Sequence, residues 1–174
     1  MTNHPRSPAR LERVFNLRDV GGRRTADGRW VRRGVLYRSD SLHRMSDTDR
    51  EEVRELRFRS VLDLRTAGEI EEHGRFLIDD DPTAHHHLPL MRDLLGGGSV
   101  PPDATPDWAA TWYADMLDDG SAAIGGAITL LAQERRYPVV FHCTAGKDRT
   151  GVLAALVQDL VCVSDADLVA DYTL

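Results

Sequence analysis

The stretch from Pro138 to Val161 constrains this chain more than any other. Pro138-Val139-Val140-Phe141 is a short, wholly apolar run, the pattern of a central strand covered on both faces. Val152, Leu153, Leu156, Val157, Leu160 and Val161 then mark a helix that is apolar around much of its circumference, and therefore buried. A buried strand that feeds directly into a buried helix predicts an α/β fold with a mostly parallel central sheet flanked by helices. Cys162, on that helix, reads as a small core residue.

Between strand and helix lies His142-Cys143-Thr144-Ala145-Gly146-Lys147-Asp148-Arg149-Thr150-Gly151. A loop wrapped there turns successive backbone N–H groups inward, and the helix adds about half a positive charge at its start. Thr144, Ala145, Gly146, Lys147, Asp148 and Arg149 would together cradle a dianion. The same environment favours a thiolate over a thiol, which makes Cys143 a nucleophile. Arg149 can close the loop and hold two oxygens of the anion bidentately, which a lysine point charge could not reproduce. His142 reads as a structural orienter of the loop backbone, because a thiolate already formed needs no base. Thr150 is placed to donate its hydroxyl to the sulfur.

Composition narrows the partners. The 174 residues carry a net charge of -6 from interspersed acids and bases, so no basic stripe is available for a nucleic-acid backbone. No run approaches the roughly 20 apolar residues of a membrane span, and Met1 to Arg13 lacks an apolar signal region, so the expected location is cytoplasmic without stable membrane insertion. The two cysteines, Cys143 and Cys162, have no companions at zinc-ligand spacing and form no disulfide framework. Neither a metal nor another cofactor is implied. Lys147 is the only lysine among 22 basic residues, and it stands inside the loop.

The remaining segments read as one domain over 1–174. Val14 to Asp19 and Trp30 to Arg38, interrupted by Gly34, suggest short strands separated by turns. Ser46 and Asp49 have capping-box spacing and open a charged helix to about Phe58. Val61 to Leu64 reads as a strand, followed by Thr66 and a helix through Glu69 to Glu72, and Leu88 to Leu90 as a further strand. Gly96-Gly97-Gly98 and Pro101-Pro102 mark a loop. Thr105 and Pro106 start a helix with Trp108, Trp112 and Met116 on one face, which reads as core packing before a substrate-facing lid. Ser121 opens another helix, in which Gly125 and Gly126 call for close packing. His85-His86-His87 alternates on a strand and reads as edge histidines rather than as a metal site.

The loop resembles that of the bacterial atypical tyrosine-protein phosphatases, whose signature H-C-x-x-G-K-x-R-T-G is matched at every fixed position. Asn16 to Gly22, Tyr37-Arg38-Ser39 and Val61 to Thr66 resemble the family's upstream segments, so the likeness covers nearly the whole chain. The resemblance implies metal-free hydrolysis of phosphotyrosine through a phosphocysteine. It extends to phosphoserine, phosphothreonine or phosphoinositides, with Lys147 meeting a second phosphate. Members of the family usually continue with further helices, so the resemblance leaves open whether a chain ending at Leu174 is truncated, partnered or differently specific; oligomeric state is also left open.

A leaving-group acid is required, and no Trp-Pro-Asp segment occurs. Asp148 is the position the resemblance suggests, whereas Asp63 ends a strand pointing to the same sheet edge and reads more naturally as structural. Two rival classes are arsenate or sulfur-transfer chemistry, which lacks a second reactive cysteine here, and a silent phospho-recognition module, against which the nucleophile's presence argues.

Overall fold

The structure, a computed structural model, describes residues 11–76, 83–91 and 103–174. Among the described residues five strands form one sheet: β1 (Arg18–Asp19), β2 (Leu36–Ser39), β3 (Ser60–Asp63), β4 (Ala84–His87) and β5 (Val139–His142). Their order is β1-β2-β5-β3-β4, with only β1 antiparallel to its neighbour. The apolar run places β5 at the centre, where every one of its residues is buried.

Period-two alternation divides the core between the two faces. Leu36, Leu62, Val139 and Phe141 face one side, packed by α3 (Pro106–Asp119), α4 (Ser121–Leu131) and α5 (Asp148–Leu160) through Met116, Leu131 and Leu153. Tyr37, Val61 and Val140 face the other, against α1 (Asp47–Arg54) through Val53, with Leu11, Leu42 and Phe58. Burying Phe141 completely contributes about 2–3 kcal/mol.

Local chemistry sets the element ends. Ser46 and Asp49 form both arms of a capping box. The buried Asp49 carboxylate also accepts from the Glu12 and Arg13 amides at 2.6 and 2.9 Å, which ties down the incoming chain. Thr66 and Glu69 form a second capping box that starts α2 (Ala67–His73). Ser164 caps α6 (Asp165–Tyr172) through the Asp167 amide at 3.3 Å.

Several sequence expectations shift. The helix from Ser46 ends at Arg54, and Arg57 adopts φ 52 before the chain reaches Phe58. Only Arg18–Asp19 and Leu36–Ser39 of the two N-terminal runs are strand, because the Asp19 carboxylate accepts from Gly21 and Gly34 amides at 2.7 and 2.8 Å and draws the chain into turns. The fourth strand is Ala84–His87, not Leu88 to Leu90; Pro89 has no amide for a ladder. Trp112 packs on the core and Met116 is buried within it, while Trp108 is largely exposed. Gly126 lies against Leu88, but Gly125 faces open space. Cys162 is exposed with φ 60, one residue beyond the α5 C-cap, where the helix has already left the core: Leu160 and Val161 are exposed as well. The Gly96 to Gly98 and Pro101-Pro102 loop lies outside the described residues. Among the described residues, no helix is long and apolar enough to cross a membrane.

Candidate active site

Parallel register brings the site together. Ser39 and Asp63 both pair with His142, so the chain leaves β2, β5 and β3 at one sheet edge, with Asp40, Cys143 and Leu64 side by side. Ligands of open α/β sheets bind at this carboxyl edge.

The loop from Cys143 to Lys147 is held by its carbonyl oxygens. Ser41 Oγ donates to the Cys143 carbonyl at 3.2 Å and the Ser41 amide to that of Thr144 at 3.1 Å. Asn16 Nδ2 donates to the carbonyls of Ala145 and Gly146 at 3.3 and 3.2 Å. The buried Arg38 guanidinium reaches those of Gly146 and Lys147 at 3.0 and 3.4 Å. Each peptide is planar, so a carbonyl drawn outward sends the next N–H the opposite way. The amides of Thr144 through Asp148 are thereby turned into the loop, where they join the first-turn amides of α5, which have no acceptor within the helix.

Gly146 makes the tight wrap possible. Its φ is +68, and a Cβ there would lie 2.6 Å from the Asp40 nitrogen. Its own amide donates to Cys143 Sγ at 3.2 Å, and Thr150 Oγ1 donates to the same sulfur at 3.1 Å. Two donors thus converge on one buried sulfur.

Arg149 lies beneath the loop, buried, and both terminal nitrogens donate to Glu69 at 2.6 and 2.9 Å. Thr144 Oγ1 donates to the same carboxylate. Burial alone would raise the Glu69 pKa, but hydrogen bonds from Arg149, Thr144 and the Thr66 amide hold it down to about 2. Burial likewise opposes the charge on Arg149, yet Glu69 and the neighbouring Cys143 raise it above its ordinary value. Glu69 takes one hydrogen from each terminal nitrogen and Nη2 also lies 3.5 Å from Thr144 Oγ1, which leaves the Nε side of the five-donor guanidinium to meet an oxyanion.

The other sequence-singled residues fall into distinct surroundings. Asp148 begins α5, and its Oδ1 accepts from the Tyr113 hydroxyl at 2.6 Å. Lys147 and Ala145 are exposed at the loop surface. His142 is fully buried; desolvation lowers its pKa to about 4, so it is neutral at physiological pH, with Nδ1 donating to the Cys143 carbonyl at 3.2 Å. Asp63 is committed to Arg65, which it binds through both oxygens at 2.7 and 2.9 Å. Burial works to raise the Asp63 pKa, but Arg65 and His142 keep it lowered. On the edge strand β4, His86 approaches Arg136 at 3.4 Å and His87 Nε2 meets the Arg65 carbonyl at 2.9 Å. Among the described residues, no group of three metal-ligating side chains forms.

Residues 9–174 match the family model described as the tyrosine phosphatase family. The chain belongs to this family. It is 33% identical over 192 residues to the triple specificity protein phosphatase PtpB of Mycobacterium tuberculosis, covering 93% of this chain and 67% of that protein. It is 31% identical over 140 residues to a tyrosine-protein phosphatase of Nostoc commune, covering 80% of this chain and 48% of the relative. The chain thus spans about half to two thirds of the length of these relatives. The fold resembles the core catalytic domain of the S. cerevisiae PP-IP phosphatase SIW14, solved with citrate, at TM-score 0.52 and 16% identity over 93% of this chain and 76% of that one.

In this member of the tyrosine phosphatase family, several site residues escaped sequence reading. In the sequence Glu69 stood out only as the start of the acidic helical segment Glu69 to Glu72. Asp40 holds the Phe15 and Asn16 amides at 3.1–3.3 Å, which sets Asn16 beside the loop. Arg38, the support of the loop carbonyls, is itself fixed by Asp171 of α6 at 2.6 Å. These partners are 80 and 133 residues apart in the chain, so no spacing rule could pair them.

Proposed function

We propose that this chain hydrolyses phosphotyrosine through a phosphocysteine at Cys143, without a metal or other cofactor. The observation that carries this reading is the buried Cys143 sulfur, with two donors within 3.2 Å, at the head of α5 beside Arg149. Cys143 Sγ attacks phosphorus in line with the phenolic oxygen; the P–O bond breaks, and that oxygen takes a proton from Asp148. Inward amides of Thr144 through Asp148 and the free edge of Arg149 stabilise the equatorial oxygens. Water then attacks the phosphocysteine and releases phosphate, with Thr150 donating to the departing sulfur. His142 keeps the loop backbone in place, and Asp63 supports the same sheet edge through Arg65.

Phosphoserine, phosphothreonine and phosphoinositides extend the proposed range. Lys147, exposed at the loop, is the cation placed to meet a second phosphate. Arsenate reduction gains nothing from Cys162: the 13 residues of α5 separate it from Cys143 by about 20 Å of helix.

The test is turnover of an aryl phosphate and a phosphotyrosine peptide in the presence of chelator. Cys143→Ser should abolish turnover, and quenched native protein should carry phosphate on Cys143. Full activity in the serine variant, or loss on chelation, refutes the proposal. Comparing phosphotyrosine, phosphoserine and phosphoinositide between the native chain and Lys147→Ala assigns the range; selective loss on the phosphoinositide is expected.

A further inference from the structure

We propose that Tyr113 and Tyr172 form a phenol pair that positions Asp148 for proton transfer, by fixing which carboxyl oxygen carries the proton. The inference rests on reading Asp148 as the leaving-group acid. Three helices meet at this point: Tyr113 from within α3, Tyr172 at the end of α6 and Asp148 at the start of α5. The Tyr113 hydroxyl lies 2.6 Å from Asp148 Oδ1, the Tyr172 hydroxyl 3.3 Å from the same oxygen, and the two hydroxyls 2.6 Å from each other.

Hydrogen counting orders these contacts. Two phenols supply two protons for three contacts, so the two short ones define a chain: Tyr172 donates to Tyr113, and Tyr113 donates to Asp148 Oδ1. An oxygen accepting that donation is occupied as an acceptor, so the proton of a neutral Asp148 resides on Oδ2. The pair thus selects one of two carboxyl oxygens as the acid and restrains the carboxyl plane. Burial, together with the contacts to Asp148 and Tyr172, drives the Tyr113 pKa far upward, so its proton stays in place during turnover.

Gly151 supplies independent support. A Cβ at Gly151 would come within 2.9 Å of the Tyr172 ring, so the bare backbone one turn into α5 is what admits that ring beside Asp148. On the other side, Asp171, adjacent to Tyr172, is held by Arg38 at 2.6 Å, which anchors α6 to the sheet edge that carries the loop. The phenols are therefore clamped from both ends.

A positioning role differs from mere packing in its dependence on the leaving group. An acidic phenol departs without a proton, whereas tyrosine requires one. For Tyr113→Phe, the loss in kcat/KM on phosphotyrosine should exceed the loss on a dinitrophenyl-type phosphate by about tenfold. Tyr172→Phe, one donor removed, should show the same selectivity more weakly. Asp148→Asn should show it more strongly, by about 100-fold, and Tyr113→Phe should add no further selectivity in that background. Equal losses of Tyr113→Phe on both substrates, beside a selective Asp148→Asn, overturn the inference alone. A nonselective Asp148→Asn overturns the acid assignment beneath it. Should Tyr113→Phe not fold, Tyr172→Phe decides by the same ratio.

Discussion

Replacing Glu69 by glutamine removes one charge from beneath the loop and leaves the side chain's size unchanged. In the native protein, the Glu69 carboxyl is depressed from 4.5 to about 2 by Arg149, Thr144 and the Thr66 amide acting against burial. A fall of that size corresponds to about 3 kcal/mol favouring the charged form in the fold. The loop above is open to solvent at Ala145 and Lys147, and screening reduces this to about 2 kcal/mol. The sign follows from the direction of the shift. A carboxylate with a depressed native pKa stabilises the fold above its unfolded value of 4.5, and this contribution is lost as pH falls through about 2. Denaturant unfolding at neutral pH should show Glu69→Gln less stable by about 2 kcal/mol, and the difference should be roughly halved near about pH 3. Freed from its fork, Arg149 no longer presents its Nε edge in a fixed direction, and kcat/KM on an aryl phosphate should fall about 10- to 100-fold. A stability difference that is the same at both pH values, or a native rate in the variant, would show that the Glu69 charge neither stabilises the fold nor orients Arg149.

Three further outcomes are expected. Desolvation lowers the His142 pKa from 6.5 to about 4, so the unfolded chain binds a proton there before the native one does, and stability should drop as pH falls from 6.5 towards 4, by about 3 kcal/mol in the limit; His142→Asn should flatten that slope in urea titrations at several pH values. Gly146→Ala should lose turnover and at least about 2 kcal/mol of stability, because its Cβ would meet the Asp40 nitrogen at 2.6 Å in a left-handed backbone; an unchanged melting temperature and rate would contradict the tight wrap. Asp171→Asn breaks the buried 2.6 Å pair with Arg38 and should cost about 3 kcal/mol, with a drop in kcat read by steady-state kinetics, since Arg38 holds the loop carbonyls; native kinetics would refute that support.

What the sequence determined by itself is contiguous. Val139 to Phe141, the ten residues from His142 to Gly151 and the apolar run after them form one strand, turn and helix, and the polar groups of such a unit are arranged largely by local backbone geometry. The α/β class, the central place of β5 and the position of Cys143 at a helix head were legible for that reason. Periodicity misled where a pattern outran the core, as at Cys162, Leu160 and Val161. Tertiary structure alone decided which distant side chains meet. The strand order β2-β5-β3 sets Arg38, Cys143 and Asp63 at one edge. The packing of α2 on that edge gives Arg149 its partner Glu69, and the meeting of α3 with α6 gives Asp148 its two phenols. Those pairings depend on how whole elements pack in space, and no periodicity or spacing within a single segment encodes such a distance.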